Sequence, residues 1–299
     1  MSRILITGAD GFTGRYLAQQ LYSEGHEVVG ITHSAITDPV DGLSRSHVCD
    51  LTDAQGLKDV VADLRPEKVA HLAAIAFVAH GDVENIYRTN IVGSRNLLEA
   101  ISSVGRVNSV LLASSANIYG NQVNGAIDEH TPPNPVNDYA VSKLSMEFVA
   151  RTYAERLPIT VARPFNYTGI GQSADFLIPK IVDHVRRRAD VVELGNLDVA
   201  RDFSDVRDVV VAYSSLLASA DAVGSVFNIC SGRATSLSDV IAMIKDVSSH
   251  DFAVEVNPAF SRANEVKSLW GDRGALNSLT GQSPRHSLRD TLAWMLDAA

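Results

Sequence analysis

The apolar positions of this chain follow two alternating rhythms. Short, mostly apolar runs occupy residues 3–7, 27–32, 47–49, 68–72, 109–114 and 159–163. Between them, at 12–23, 54–64, 86–104 and 139–155, apolar residues recur every three to four positions among polar ones. The first rhythm is that of strands buried on both faces, the second that of amphipathic helices. Their alternation predicts a parallel sheet covered by helices on both sides. After residue 163 the regularity loosens. Residues 164–172 are rich in Gly, Asn and Pro. Helical periodicity then returns at 174–188, 206–218, 236–248 and 287–296, with short strands at 191–194, 225–229 and 252–256. This predicts an α/β chain of two parts: a doubly wound sheet over 1–163, and a smaller α/β lobe over 164–299. Some segments of the second part, such as the helix after Ser204, pack back on the first. The smaller lobe closes over the C-terminal edge of the sheet, where such folds bind ligands.

The first strand runs into Gly8, Gly11 and Gly14, and a helix follows at once. Glycine permits the tight turn and lets backbone approach a pyrophosphate, while the helix N-terminus offers it unpaired N–H groups. The Gly-x-x-Gly-x-x-Gly spacing is one residue longer than the Gly-x-Gly-x-x-Gly dinucleotide fingerprint. Its place between strand and helix makes it a Rossmann-type cofactor turn and not only a glycine-rich loop.

Composition narrows the function. The chain has 299 residues, 45% hydrophobic and 20% charged, as a globular protein should. Its apolar runs are too short to span a bilayer, its start has no signal-peptide layout, and its two cysteines make neither a zinc spacing nor a disulfide framework. These features predict a cytoplasmic protein with no membrane partner and no metal. A net charge of −9 argues against nucleic acid, and means that an anionic substrate must be held by a few local arginines.

The strand at 109–114 ends in Ser114-Ser115-Ala116-Asn117-Ile118-Tyr119-Gly120, and Tyr139-Ala140-Val141-Ser142-Lys143 follows after a Pro/Asn-rich loop. On a helix Tyr139 and Lys143 lie one turn apart on one face. A phenol ordinarily titrates near pH 10, and an ammonium beside it favours the phenolate. A serine hydroxyl nearby can hydrogen-bond the reacting oxygen, so the trio could exchange a proton with a carbonyl or alcohol while a nicotinamide exchanges a hydride. The plainer alternative is a tyrosine that starts a helix and a lysine in solvent.

The glycine triplet, Leu72-Ala73-Ala74, Asn90, the Ser-Ser-Ala-x-x-Tyr-Gly strand end and the Tyr139/Lys143 pair together resemble an extended short-chain dehydrogenase/reductase over essentially the whole chain. The resemblance makes Ser115, Tyr139 and Lys143 catalytic, with Ser114 supporting them against the substrate. It assigns the cofactor to Gly8, Asp10, Gly11, Phe12, Thr13 and Gly14, to His33 and Ser34 after the second strand, and to Asp50 and Leu51 at the adenine. Leu72, Ala73, Ala74, Asn90 and Arg163 complete that set, with Tyr139 and Lys143 touching the cofactor too. For Asn90, a helix cap or a structural role near the site remain alternatives. The resemblance also implies a homodimer through the helices at 86–104 and 139–155.

In the second half, residues 162–172 resemble the substrate loop of nucleotide-sugar enzymes, with Asn166 on the sugar or diphosphate. Arg201, within Arg201-Asp202-Phe203-Ser204-Asp205, resembles a diphosphate-gripping arginine, and Arg262 with Glu265 a second one. Guanidinium suits this role because it is always charged and forks onto two oxygens. Their alternatives are surface ion pairs, Arg201 with Asp202 or Asp205 and Arg262 with Glu265. The run Arg186-Arg187-Arg188 reads as compensation of a helix end.

In the sugar-nucleotide 4,6-dehydratases of this family an acid sits two residues after the catalytic serine or threonine. Here that position is Asn117, which cannot transfer the required proton. With Asn117 also expected at the substrate, the resemblance is nearest to reductases that act on the C4 keto group of GDP-4-keto-6-deoxy-D-mannose. Their products are GDP-D-rhamnose or its C4 epimer GDP-6-deoxy-D-talose. The second strand ends Thr32-His33-Ser34 with no acid for a ribose 2′-hydroxyl, which favours NADPH over NADH. Two other readings stand beside this one: a UDP-hexose 4-epimerase, and a non-catalytic nucleotide-sensing protein.

Overall fold

The computed structural model describes residues 1–76, 82–121, 125–260 and 267–298. Along β1 (Arg3–Thr7), Ile4 and Ile6 face one side of the sheet and Leu5 the other, all of them buried. Successive strand residues point to opposite faces, so an unbroken apolar run requires cover on both. Five more strands join β1: β2 (Glu27–Thr32), β4 (Lys68–His71), β5 (Ser109–Ala113) and β6 (Ile159–Pro164), which are buried likewise, and the mostly exposed edge strand β3 (Arg45–Val48). They form a parallel sheet in the order β6-β5-β4-β1-β2-β3, with a seventh strand, Val226–Ile229, outside β6. The order reverses between β1 and β4, which opens a crevice at their C-terminal ends.

One face of the sheet is covered by α1 (Phe12–Ser23) and, from the second half of the chain, α7 (Val206–Ala218). Leu17 and Leu21 of α1 pack there with Val209, Tyr213 and Leu216 of α7. The other face is covered by α2 (Ala54–Leu64), α4 (Ser94–Val104) and α5 (Asp138–Arg151) through Leu57, Val61, Leu97, Ile101 and Met146. Side chains cap the exposed N–H groups where these helices begin. Asp53 accepts from Gly56 N–H at α2, Asn137 from Ala140 N–H at α5, and Asp205 from Arg207 N–H at α7.

Two expectations change. The helix expected over 86–104 begins earlier, as α3 (Val83–Tyr87) capped by Asp82, and passes through a π-helical stretch, Arg88–Gly93, into α4. Asn90 is therefore inside a helix and is not its cap. The wide turn sits where Gly93 meets Leu51: a Cβ on Gly93 would lie 2.7 Å from the Leu51 Cβ. The Ser94 hydroxyl donates to the Asn90 carbonyl at 2.6 Å. The strand expected at 225–229 in the smaller lobe belongs instead to the main sheet, because Phe227 and Ile229 complete the hydrophobic layer beneath α7.

The smaller lobe is built on α6 (Leu177–Arg186), α8 (Leu237–Ser248) and α10 (Leu288–Asp297) around Ile181, Val240, Ile244 and Leu292. The short strands Val191–Leu194 and Ala253–Val256 pair in parallel beside them. A further helix, α9 (Gly274–Thr280), returns to the main sheet through Leu276. Among the described residues no helix is long and apolar enough to cross a membrane.

Candidate active site

The C-terminal ends of the strands and the smaller lobe enclose a cavity of about 890 Å³. Its floor is the glycine turn. Gly8 has φ +69, a conformation that favours glycine, and a Cβ on Gly14 would lie 2.1 Å from the Gly8 carbonyl oxygen. No other residue type lets α1 start this close to β1. The helix has Gly11 at its N-cap and no side chain capping it, so the first amides of α1 stay open toward Gly11, Phe12 and Thr13 on the cavity wall. That donor set fits a pyrophosphate.

Beyond the turn, His33 after β2 and Cys49, Asp50, Leu51 and Thr52 after β3 line the cavity. The backbone N–H of Thr52 donates to Asp50 Oδ1 at 2.8 Å, and this bond leads in holding the Asp50 carboxyl below its ordinary range. His33 and Arg88 act on Asp50 in the same direction, which places two basic side chains at this end. Ser34 lies off the wall, and its carbonyl accepts from the Thr32 hydroxyl at 2.8 Å. Arg88, with Asn85 and Thr89, comes to the wall from α3 and the π-helical stretch. The sequence reading passed over all three, although their i, i+3, i+4 spacing marks a single polar helix face.

After β4 the wall is Leu72, Ala73 and Ala74. Behind it a buried chain of hydrogen bonds runs one way. Ala73 N–H donates to Thr7 Oγ1 at 3.2 Å, and Thr7 Oγ1 lies 2.7 Å from His71 Nδ1. His71 Nε2 lies 2.8 Å from Ser94 Oγ, whose hydrogen goes to Asn90. Ser94 must accept from His71, so the imidazole carries its proton on Nε2. Burial first, then Lys143, lowers the His71 pKa to about 3, so it is neutral. Asn90 itself does not reach the cavity. Its Oδ1 accepts from Ile75 N–H at 2.9 Å and its Nδ2 donates to Ser142 Oγ at 3.0 Å, which ties the loop after β4 to α5.

Ser114, Ser115 and Asn117 follow β5, and Tyr139 and Lys143 come from the first turns of α5; all five line the cavity. Ser115 and Tyr139 stand together on the cavity wall, and the serine hydroxyl favours the charged form of the phenol. Burial raises the Tyr139 phenol to about 12, the Ser115 hydroxyl pulls it back, and Tyr167 adds to the rise. The Lys143 Nζ donates to the Ala113 carbonyl at 2.7 Å, and its ammonium keeps two further N–H groups. Burial lowers the Lys143 ammonium to about 8, against the pull of Glu147. The arrangement thus holds a protonated phenol, primed by a serine, next to the cofactor turn. We expect the reductive kcat/KM to fall with an apparent pKa near 8 as Lys143 loses its charge, because Tyr139 remains protonated across that range. A pH profile that stays flat to about pH 10 excludes Lys143 from this role.

Two expected site residues bond to Glu147. The Ser114 hydroxyl donates to Glu147 Oε1 at 2.5 Å. Arg163 is a correction: it lies off the cavity wall, its side chain 4% exposed, and forks onto Glu147 through Nε at 3.0 Å and Nη2 at 2.7 Å. Its Nη1 donates to the Tyr119 hydroxyl at 2.9 Å. Burial works against its charge, but the carboxylate more than compensates and the pKa ends above its ordinary value. This ion pair braces α5 against β6 behind the catalytic face.

The wall after β6 is formed by Phe165, Asn166, Tyr167, Gln172 and Phe176, where a substrate is expected. Asn166 is exposed to the cavity. The loop is anchored to the start of α1. Tyr167 Oη lies 2.8 Å from Thr13 Oγ1, the Tyr167 ring stacks on Phe12 at 6.0 Å, and Tyr16 Oη donates to the Ile170 carbonyl at 2.8 Å. Arg201 is off the cavity wall; its Nη1 donates to the carbonyls of Ala200 and Lys267 at 2.9 and 3.2 Å. Asp202 turns both oxygens to Ser231, Gly232 and Gly271, and Asp205 pairs with Arg207 at 2.7 Å. Arg262 and Glu265 lie outside the described residues.

A family model described as GDP-mannose 4,6 dehydratase matches residues 5–295. The chain belongs to this family. It is 32% identical to the GDP-6-deoxy-D-talose 4-dehydrogenase of Aggregatibacter actinomycetemcomitans, over 95% of this chain and 92% of that one. It is also 32% identical to the GDP-6-deoxy-D-mannose reductase of Pseudomonas aeruginosa, over 98% and 96%. Among solved structures, a putative epimerase from Burkholderia cenocepacia aligns with a TM-score of 0.93 and 48% identity, over 99% and 97% of the two chains. The structure of RMD from Pseudomonas aeruginosa complexed with NADPH aligns with a TM-score of 0.85 and 30% identity, over 99% and 98%. Solved relatives thus contain NADPH or NAD. Within a family described as dehydratases, this member carries Asn117 where the resemblance placed an acid.

Proposed function

We propose that this protein reduces the C4 keto group of GDP-4-keto-6-deoxy-D-mannose, with NADPH as the preferred nicotinamide cofactor. One observation carries the reading. Ser115, Tyr139 and Lys143 stand together at the end of a dinucleotide cradle, and the residue two after the serine is an amide and not an acid. A proton donor for a carbonyl is therefore present, and the acid for dehydration is absent. The names of the two 32% identical relatives, a GDP-6-deoxyhexose dehydrogenase and a reductase, support the same substrate. The cofactor when bound supplies hydride to the carbonyl carbon. Preference for NADPH draws on the missing acid after β2 and on His33 and Arg88 at the adenine end, which suit an added phosphate.

The test is incubation with GDP-mannose, a known 4,6-dehydratase and NADPH, with the product identified by NMR. NADPH should be consumed, and the product should be GDP-D-rhamnose or GDP-6-deoxy-D-talose. With GDP-mannose alone there should be no 4-keto-6-deoxy product, and its appearance without added dehydratase overturns the reading. A second reading, UDP-hexose 4-epimerase, draws on the 48% identical putative epimerase. An epimerase would retain NAD and consume no free NADPH.

A further inference from the structure

The acceptor capacity of the Ser115 hydroxyl is filled by a single neighbour. The backbone N–H of Asn117 donates to Ser115 Oγ at 3.2 Å, and the Asn117 side-chain Nδ2 donates to the same oxygen at 3.1 Å. A serine oxygen has two lone pairs and one hydrogen. With both lone pairs engaged, that hydrogen can only be given away. The Tyr139 phenol lines the cavity with Ser115, and the serine hydroxyl draws its pKa down as a donor would, so the phenol oxygen is in place to take that hydrogen. The Lys143 ammonium has no lone pair to take that hydrogen, and Ser114 is turned toward Glu147. The Tyr139 hydrogen is then left for the cavity. Donation runs in one direction, from Asn117 to Ser115, from Ser115 to Tyr139, and from Tyr139 to a bound carbonyl oxygen.

We propose that Asn117 is a positioning residue that fixes the Ser115 hydroxyl as a donor, so that the Tyr139 proton is aimed at the substrate. The inference rests on the reductase reading above. In the reduction the Tyr139 O–H bond breaks and an O–H bond forms on the former carbonyl oxygen. The carbonyl carbon gains a C–H bond with the electron pair of the hydride, and the reduced nicotinamide is oxidised. The electron pair of the broken O–H bond stays on Tyr139 Oη, where the Ser115 hydrogen meets it. A carboxylate at 117 would do the reverse. It only accepts, so it would draw the Ser115 hydrogen to itself and leave the phenolate unsupported.

The experiment compares wild type, Asn117→Asp and Asn117→Ala by consumption of NADPH with GDP-4-keto-6-deoxy-D-mannose, from about pH 3 to about pH 9, which spans the ordinary carboxylate range. The Asn117 side chain is exposed to the cavity, so both variants should melt as wild type does. Asn117→Asp should lower kcat at neutral pH by roughly 10- to 100-fold, the scale of a misdirected catalytic group, with KM little changed. Its kcat should climb as pH falls through the carboxylate range, because a protonated carboxyl can again donate to Ser115. Asn117→Ala keeps the backbone N–H and should lose less, with a profile of wild-type shape. Other titratable groups on this cavity are Asp10, His33, Cys49, Asp50, Arg88, Tyr139, Lys143 and Tyr167, and all are common to the three proteins. An acid limb confined to Asn117→Asp therefore belongs to residue 117. Parallel profiles for an active wild type and Asn117→Asp overturn this inference alone. A wild type that consumes no NADPH overturns the reductase reading and this inference with it.

Discussion

Replacing Tyr139 by Phe should lower turnover by about 10²–10⁴-fold, the usual yield of a well-placed proton donor. The size of the loss follows from the site. Burial keeps the phenol protonated, at about 12, so at neutral pH it enters the reaction as an acid. The Ser114 hydroxyl is turned to Glu147, and burial raises the phenol of Tyr167 above its ordinary value, which leaves Ser115 as the hydroxyl that supports Tyr139. Ser115 can support the tyrosine but ordinarily titrates far too high to replace it. The ring of Phe occupies the same place on α5, so NADPH affinity and thermal stability should be unchanged. Activity within a few-fold of wild type would falsify the assignment of Tyr139 as donor.

Glu147→Ala should destabilise the fold by about 3–5 kcal/mol, because it leaves a buried guanidinium without its carboxylate. Both members of the Arg163–Glu147 pair are almost fully buried, at 4% and 3% side-chain exposure, so solvent screens little of the effect. The substitution also removes the acceptor of the Ser114 hydroxyl. A double variant, Glu147→Leu with Arg163→Met, should recover most of the loss, since apolar side chains of similar volume often replace a buried pair at no net cost. Denaturant midpoints at constant slope would measure both. If Glu147→Ala unfolds at the wild-type midpoint, the pair contributes nothing to the brace between α5 and β6.

The main sheet was legible because its strands are short apolar runs that need cover on both faces, as Ile4, Leu5 and Ile6 show. The cofactor turn was legible for a related reason. Gly8 and Gly14 are required by backbone geometry, and such a requirement leaves its mark in the residue type. Arg163 shows where this kind of reading stops. An arginine next to a functional loop looks the same whether it meets a ligand or a buried carboxylate, and Glu147 is 16 residues away on another element. Arg88 was missed differently. With Asn85 and Thr89 it forms a polar i, i+3, i+4 face, but the same spacing marks any solvated helix face, and only the fold turns this one toward the cavity. The strand Val226–Ile229 has the composition of a strand in either lobe, and only its pairing with β6 decides between them.

That strand also determines how the molecule can be taken apart. The chain leaves the sheet after Pro164, returns to it through α7 and Val226–Ile229, and leaves again. The smaller lobe is therefore built from two separate excursions, 164–205 and 230–298. A fragment ending at residue 163 would expose the edge of β6 and strip α7 from the layer it shares with α1. Exchange of this recognition lobe with that of another family member is thus not a matter of swapping one C-terminal cassette. It takes two matched inserts, with the connecting helix and strand kept from the recipient.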